Sequence, residues 1–303
     1  MTAGAGAGSE AIAAPWGPTI QLEFLRRFAA YDAVADGVVT WLSWRDAGGA
    51  PRLLGLRVES EGEVRVDGSA ERARHILQAD VDLGPLEALV GGLPPEAPQR
   101  RLHARFRGTR PVQFGDAFEG LCWTVLAQQV SVSAAASIKR RLTAALGDAA
   151  ASGSAGVAVP VFPAPARLLA AGADGLRRFG VSRQKAATLL RLAAEAEAGD
   201  DLQRLARAPT AEAYACLTAI AGVGPWSARY ALGRVYGHRD ALPSQDVGLR
   251  RAWGREAALS RTATADEVEA AAAALPGWGA YLAWYLWLSN ADARAPLSPA
   301  AKP

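Results

Sequence analysis

The stretch Leu217 to Tyr230, LTAIAGVGPWSARY, puts two glycines, a proline and a serine where a chain reversing between two helices would expose backbone amides. Gly222 and Gly224 permit positive φ in a tight reversal, and Pro225 suits the first turn of the helix that follows. Unpaired N–H groups at a helix N-terminus bind anions, and a phosphate matches them in charge and in hydrogen-bonding capacity. Gly222, Val223 and Gly224 are therefore expected to grip a sugar-phosphate backbone, with the hydroxyl of Ser227 joining them. A bare GxG usually does no more than join helices. The apolar helix before it and WSARY after it make this pattern more specific.

Downstream, LPSQDVGLRR sets Asp246 directly before a short amphipathic segment, Val247 to Trp253. An Asp there is most simply a helix N-cap. That role is compatible with a chemical one, because a helix N-terminus stabilises the ionised carboxylate needed to face a developing positive charge. Trp226 and Tyr230 lie four apart on one helical face, and Trp278 heads a later aromatic run. Each could stack on a planar cationic ligand or simply fill the core. Tyr281, Trp284, Tyr285 and Trp287 read as core.

The chain has 303 residues, half of them apolar, which is enough for two domains with their own cores. A formal charge of +3 permits a polyanionic partner without requiring one. Lys139, Lys185 and Lys302 are the only lysines, so covalent lysine chemistry has three candidates, none in a chemical-looking motif. Cys122 and Cys216 sit in apolar helical patterns and read as reduced core residues of a cytosolic protein. No cysteine or Cys/His set suits zinc or an iron-sulfur cluster, and His75, His103 and His238 lack ligand-like spacing. The N-terminus lacks the pattern of a secretion signal. Residues 270–291 carry no charge and are long enough to span a membrane, but Pro276, Gly277 and Gly279 interrupt them, so a buried helix is expected.

These residues need a scaffold, and the patterning predicts α+β. Residues 1–15 read as a flexible tail. Residues 16–97 read as a small domain with a helix at Ile20 to Tyr31, antiparallel strands alternating from Gly37 to Asp67, and a helix at Glu71 to Leu77. Residues 98–292 read as all-helical in two lobes, and 293–303 as a frayed end. Helical spacing runs through Phe118 to Leu146, with Lys139, Arg140 and Arg141 suited to the last turns. Gly147 to Pro165 reads as a loop. Helices follow at Pro165 to Ala171, Ala173 to Arg178, Ser182 to Ala198 and Ala211 to Ala219. The run Gln99 to Arg110, QRRLHARFRGTR, alternates basic and apolar residues and reads as a solvated strand or extended linker rather than a DNA-binding arm.

With AQQVSVSAAASI, FPAPARLLAA, the hairpin, Asp246 and LPGWGAYLAWYLW in this order, the chain resembles the helix-hairpin-helix DNA glycosylase superfamily. Within it, the DNA-3-methyladenine glycosylase II (AlkA) type is the most similar over Ile20 to Asn290. The resemblance implies an all-helical glycosylase region after the N-terminal α+β domain. It also implies a cytoplasmic, nucleoid-associated monomer that binds double-stranded DNA, flips out alkylated purines and hydrolyses their N-glycosidic bond with Asp246. Trp278 matches a pocket tryptophan, Phe24 aligns loosely with a pocket residue, and Gln129 falls on the position that wedges into the duplex. From the pattern alone, Gln129 could equally be a solvent-facing helix residue.

No redox cofactor is implied, although family members hold a sodium or potassium ion on hairpin carbonyls. Trp226 stands where strand-cleaving members carry lysine, which implies a monofunctional hydrolase. Val247 replaces an aromatic residue and alters the expected pocket. Two alternatives follow: excision of oxidised or deaminated bases, or a non-catalytic DNA-binding helix-hairpin-helix protein.

Overall fold

The computed structural model describes residues 10–13, 17–28, 30–60, 62–151, 156–199 and 202–297. The first part contains β1 (Glu10–Ala13), α1 (Pro18–Arg27), β2 (Val34–Asp36), β3 (Val39–Arg45), β4 (Pro51–Ser60) and β5 (Glu63–Asp67). The strands form one antiparallel sheet in the order β1-β5-β4-β3-β2. Alternation sends Leu54, Leu56, Val64 and Val66 into the core, as the sequence period requires. Residues 10–13 were expected in the flexible tail. They are instead an edge strand, with Ile12 opposite Val64 and fully buried, so one inward apolar side chain and a free sheet edge suffice to order them.

After α2 (Ala70–Leu77) and α3 (Gly84–Gly91) comes α4 (Pro98–Arg105), within the run expected to be extended. Leu102 and Phe106 are four apart, which satisfies a helical face as well as an alternating one; both are buried, and Pro98 starts the helix. The arginines of this run bind protein groups. Arg100 reaches the Leu93 carbonyl, and Arg101 and Arg105 reach the backbone and the carboxylate of Glu256.

The span Phe118 to Leu146 is two helices, α5 (Ala117–Leu126) and α6 (Val132–Leu146). Asp116 caps the first, and Ser131 caps the second by accepting from Ala134 N. Between them Gln129 adopts φ +55°. Lys139 does not serve the end of α6. It is fully buried, with Nζ 2.5 Å from Asp32 Oδ2 and 2.7 Å from Glu119 Oε1.

Within the expected loop 147–165, β6 (Asp148–Ala151) and β7 (Ala158–Val161) pair as a hairpin. Arg45 on β3 reaches Asp148 and the Phe162 carbonyl, anchoring that hairpin to the main sheet. The helices that follow are α7 (Pro165–Arg177, kinked at Gly172), α8 (Arg183–Glu197), α9 (Thr210–Ala219) and α10 (Pro225–Arg234). The chain continues with α11 (Val247–Glu256), α12 (Ala265–Ala273) and α13 (Gly279–Asp292). The charge-free stretch is thus the end of α12, a turn and α13, and among the described residues no helix is long and apolar enough to cross a membrane.

One continuous apolar cluster runs from Ile12 through both parts to Leu297, so the core does not divide at residues 97 and 98. In the end expected to fray, residues 293–296 are exposed, but Leu297 is buried and its amide bonds to Asp292; 298–303 lie outside the described residues.

Candidate active site

The hairpin forms as the glycine spacing predicts. After α9, Val223 N donates to Ile220 O at 2.9 Å, and Gly222 sits at φ +100°. A Cβ on Gly222 would lie 1.9 Å from Thr188 Oγ1, so both conformation and space exclude a side chain there. Gly222 and Gly224 are exposed. Gly224 caps α10 without a side-chain partner, and Pro225 occupies its first turn. The first-turn amides of Trp226 and Ser227 lack intrahelical acceptors, as at any helix N-terminus. Three details differ from expectation. Gly224 has φ −87°, so of the two glycines only Gly222 uses a left-handed backbone. The Val223 amide is used within the turn, and Ser227 is only 2% exposed, its Oγ accepting from Gln128 Nε2 at 2.9 Å. Ser227 braces the hairpin from inside.

Asp246 caps α11, with Oδ1 accepting from Leu249 N at 2.9 Å. Its other oxygen accepts from Trp226 Nε1 at 3.2 Å, and Gly248 N and the Trp287 indole are close enough to favour the ionised carboxylate. A Cβ on Gly248 would lie 2.9 Å from Asp246 Oδ1, so glycine lets the backbone approach the carboxylate. Asn290 on α13 holds that turn by donating to the Gly248 carbonyl at 2.8 Å. Burial raises the Asp246 pKa above the ordinary aspartate value, and these four groups pull against that shift.

Trp226 stacks on Tyr230 at 5.5 Å between ring centroids, and Tyr230 meets Trp287 edge-on at 5.6 Å. Trp123 donates to the Tyr230 hydroxyl at 3.2 Å. Beneath them the buried Arg234 guanidinium lies 5.2 Å from the Trp287 ring and 5.4 Å from that of Phe24. Trp226, Tyr230 and Asp246 therefore meet as the sequence suggests, and Phe24 borders the cluster.

Trp278 does not join this cluster. It is buried against Tyr281 and under Arg239, at the opposite end of α13. Nine residues of helix separate it from Trp287 by roughly 13 Å. Trp287, half-buried and read from sequence as core, is the member of that aromatic run that lies near the Asp246 carboxylate and Tyr230.

Residues 122–276, just over half of the chain, match the HhH-GPD superfamily of base excision DNA repair proteins. The chain belongs to this family. A DNA-3-methyladenine glycosylase of Bacillus subtilis is 30% identical over 184 residues, which are 60% of this chain and 60% of that protein. The match thus spans less than two thirds of the relative's length. The solved 3-methyladenine DNA-glycosylase of Archaeoglobus fulgidus has the same fold, with a TM-score of 0.80 at 24% identity, covering 93% of this chain and 98% of that one. The Clostridium acetobutylicum 8-oxoguanine glycosylase/lyase shares the fold more distantly, with a TM-score of 0.64 at 13% identity over 86% of this chain and 98% of that one.

This family member keeps its described lysines away from Asp246. Lys139 is locked in the ion pairs given above. Lys185 donates to the carbonyls of Leu126 and Gln128 at 2.8 and 2.7 Å. Gln129 is exposed, with left-handed backbone, at a turn between helices rather than within one, directly after Gln128, whose side chain bonds to the hairpin.

The tip carbonyls Ala221 and Gly222 face donors: Arg191 and Thr188 for the first, Gln128 for the second. A guanidinium at 3.1 Å from Ala221 O disfavours a cation on that oxygen. Among the described residues, no group of three or more His, Cys, Asp and Glu could hold a metal ion.

Proposed function

We propose that the chain is a monofunctional DNA glycosylase of base excision repair that extrudes alkylated purines from double-stranded DNA and hydrolyses their N-glycosidic bond. The observation that carries this reading is the placement of Asp246: one carboxylate, bonded to the Trp226 indole and the Leu249 amide, beside the stacked Trp226 and Tyr230 rings on the second helix of the hairpin. The name of the Bacillus subtilis relative, DNA-3-methyladenine glycosylase, supports the alkylated-base class. The reading places the enzyme as a monomer in the cytoplasm, on nucleoid DNA.

The hairpin amides hold the backbone while Gln129 fills the gap left by the extruded nucleotide. Trp226, Tyr230 and Trp287 offer electron-rich faces to a cationic base such as 3-methyladenine. That base already carries positive charge and leaves with the bonding electron pair, so a strong general acid is unnecessary. As the C1′–N bond lengthens, positive charge grows on the sugar, and the Asp246 carboxylate stabilises it and orients the water that adds to C1′. Among the described residues, the two lysines, Lys139 and Lys185, are engaged elsewhere rather than beside Asp246, which suits hydrolysis without a Schiff base.

Release of 3-methyladenine or 7-methylguanine from methylated duplex DNA by the wild type, and its loss in Asp246→Asn, is the direct test. Equal release by both proteins removes Asp246 from the chemistry. Val247, 52% exposed next to Asp246, favours a second reading in which a more open mouth admits oxidised or deaminated bases. A panel of lesion-bearing duplexes separates the two.

A further inference from the structure

Resting on the function proposed above, we infer that Lys185 is a positioning residue that sets the Gln129 turn against the hairpin, so that insertion into the duplex and the grip on the backbone act in register. Three residues of α8, Lys185, Thr188 and Arg191, recur at intervals of three and share a face. Each touches one of the two exposed loops. Lys185 Nζ donates to Leu126 O and Gln128 O, the carbonyls where α5 ends and the turn begins. Thr188 Oγ1 and Arg191 donate to Ala221 O at the hairpin tip.

Gln128 closes the circuit from the other side. Its side-chain amide donates to Gly222 O and Ser227 Oγ, both at 2.9 Å, while its own carbonyl is held by Lys185. The residue directly before Gln129 is thus fixed at backbone and side chain to elements that belong to α8 and to the hairpin.

An ammonium suits this position for two reasons. It satisfies two carbonyls at once, and its charge complements the negative end of the α5 dipole. Partial burial lowers the Lys185 pKa without changing these contacts. If Lys185 is lost, two carbonyls are left without their donor in a turn whose tip already has left-handed backbone at Gln129. The turn relaxes, and the side chain that must enter the duplex moves relative to the backbone grip.

The consequence is specific to paired DNA. A base in a single strand needs no wedge, whereas a base in a duplex does. The experiment measures release of methylated purine from duplex and from single-stranded oligonucleotides by wild type, Lys185→Met and Lys185→Arg, with thermal unfolding of each. Lys185→Met should lose about tenfold or more on duplex substrate while staying within about twofold of wild type on single strands, and Lys185→Arg should recover much of the duplex activity. An unchanged duplex rate, or an equal fall on both substrates, overturns the positioning role even if the wild type is an active glycosylase. A wild type that releases no base from either substrate overturns the function, and this inference with it.

Discussion

A carboxylate that must stay ionised beside a growing cation is opposed by its own burial, and at Asp246 four neighbouring groups resist that effect. Removing one of them changes the balance in a predictable direction. Trp226→Phe keeps a ring to stack on Tyr230 but deletes the indole donor at 3.2 Å. The ionised form loses support, so the pKa rises further. The acid limb of kcat against pH should move upward by about one unit, while activity on the plateau above it changes less. A limb that stays in place would show that the other donors alone set the titration.

At this scale Asp246, Trp226 and Tyr230 were legible, because a cap position and an i, i+4 pair are local properties. Choosing Trp287 over Trp278 was not. Both lie in one aromatic run, and the choice depends on which end of α13 meets α11, a contact fixed by Ser289 and Asn290 bonding to Glu256 and Gly248.

Elements are legible when one periodicity dominates and misread when two agree. The glycine pair and Pro225 gave the hairpin, and Gly172 gave the kink that divides α7. In α4, Leu102 and Phe106 fit both a strand and a helix, and only burial against the rest of the core decides between them. The β6–β7 hairpin hides in an alanine- and glycine-rich run, because its order comes from Arg45 and Ser43 on a strand about a hundred residues earlier. The break between α5 and α6 hides because apolar spacing continues through it.

The hairpin itself gives a prediction. Gly222→Ala forces a left-handed alanine and drives a methyl group into Thr188, so stability should fall by about 1–3 kcal/mol. Affinity for undamaged duplex, followed by anisotropy, should fall as well, with a shallower dependence on salt as phosphate contact is lost. Loss of stability with unchanged affinity and salt slope would mean that the reversal is a structural joint rather than the backbone grip.

Over the whole molecule, the parts expected to be separate domains share a core and also a buried ion cluster. Asp32 lies between α1 and β2, Glu119 on α5 and Lys139 on α6, so one ammonium joins the sheet-bearing part to the helices. The sequence shows three ordinary charged residues, because nothing local marks partners 87 and 107 positions apart from Asp32 as neighbours. Lys139→Met would leave two largely buried carboxylates without their cation, and such a break costs about 3–5 kcal/mol.

The loss should depend on pH in a direction fixed by linkage. Burial raises the Glu119 pKa even in the wild type, against the pull of Lys139, and without the ammonium it rises further. A carboxyl whose folded pKa exceeds its unfolded one binds its proton more tightly in the folded state. Its penalty is absent below the unfolded pKa, grows as pH rises toward the folded pKa, and is complete above it. Urea unfolding of wild type and Lys139→Met at about pH 5 and about pH 8 should therefore show a smaller stability gap at the lower pH. A gap equal at both would mean that Asp32 and Glu119 find water or other donors once Lys139 is gone, and that the ion cluster is not what joins the two parts.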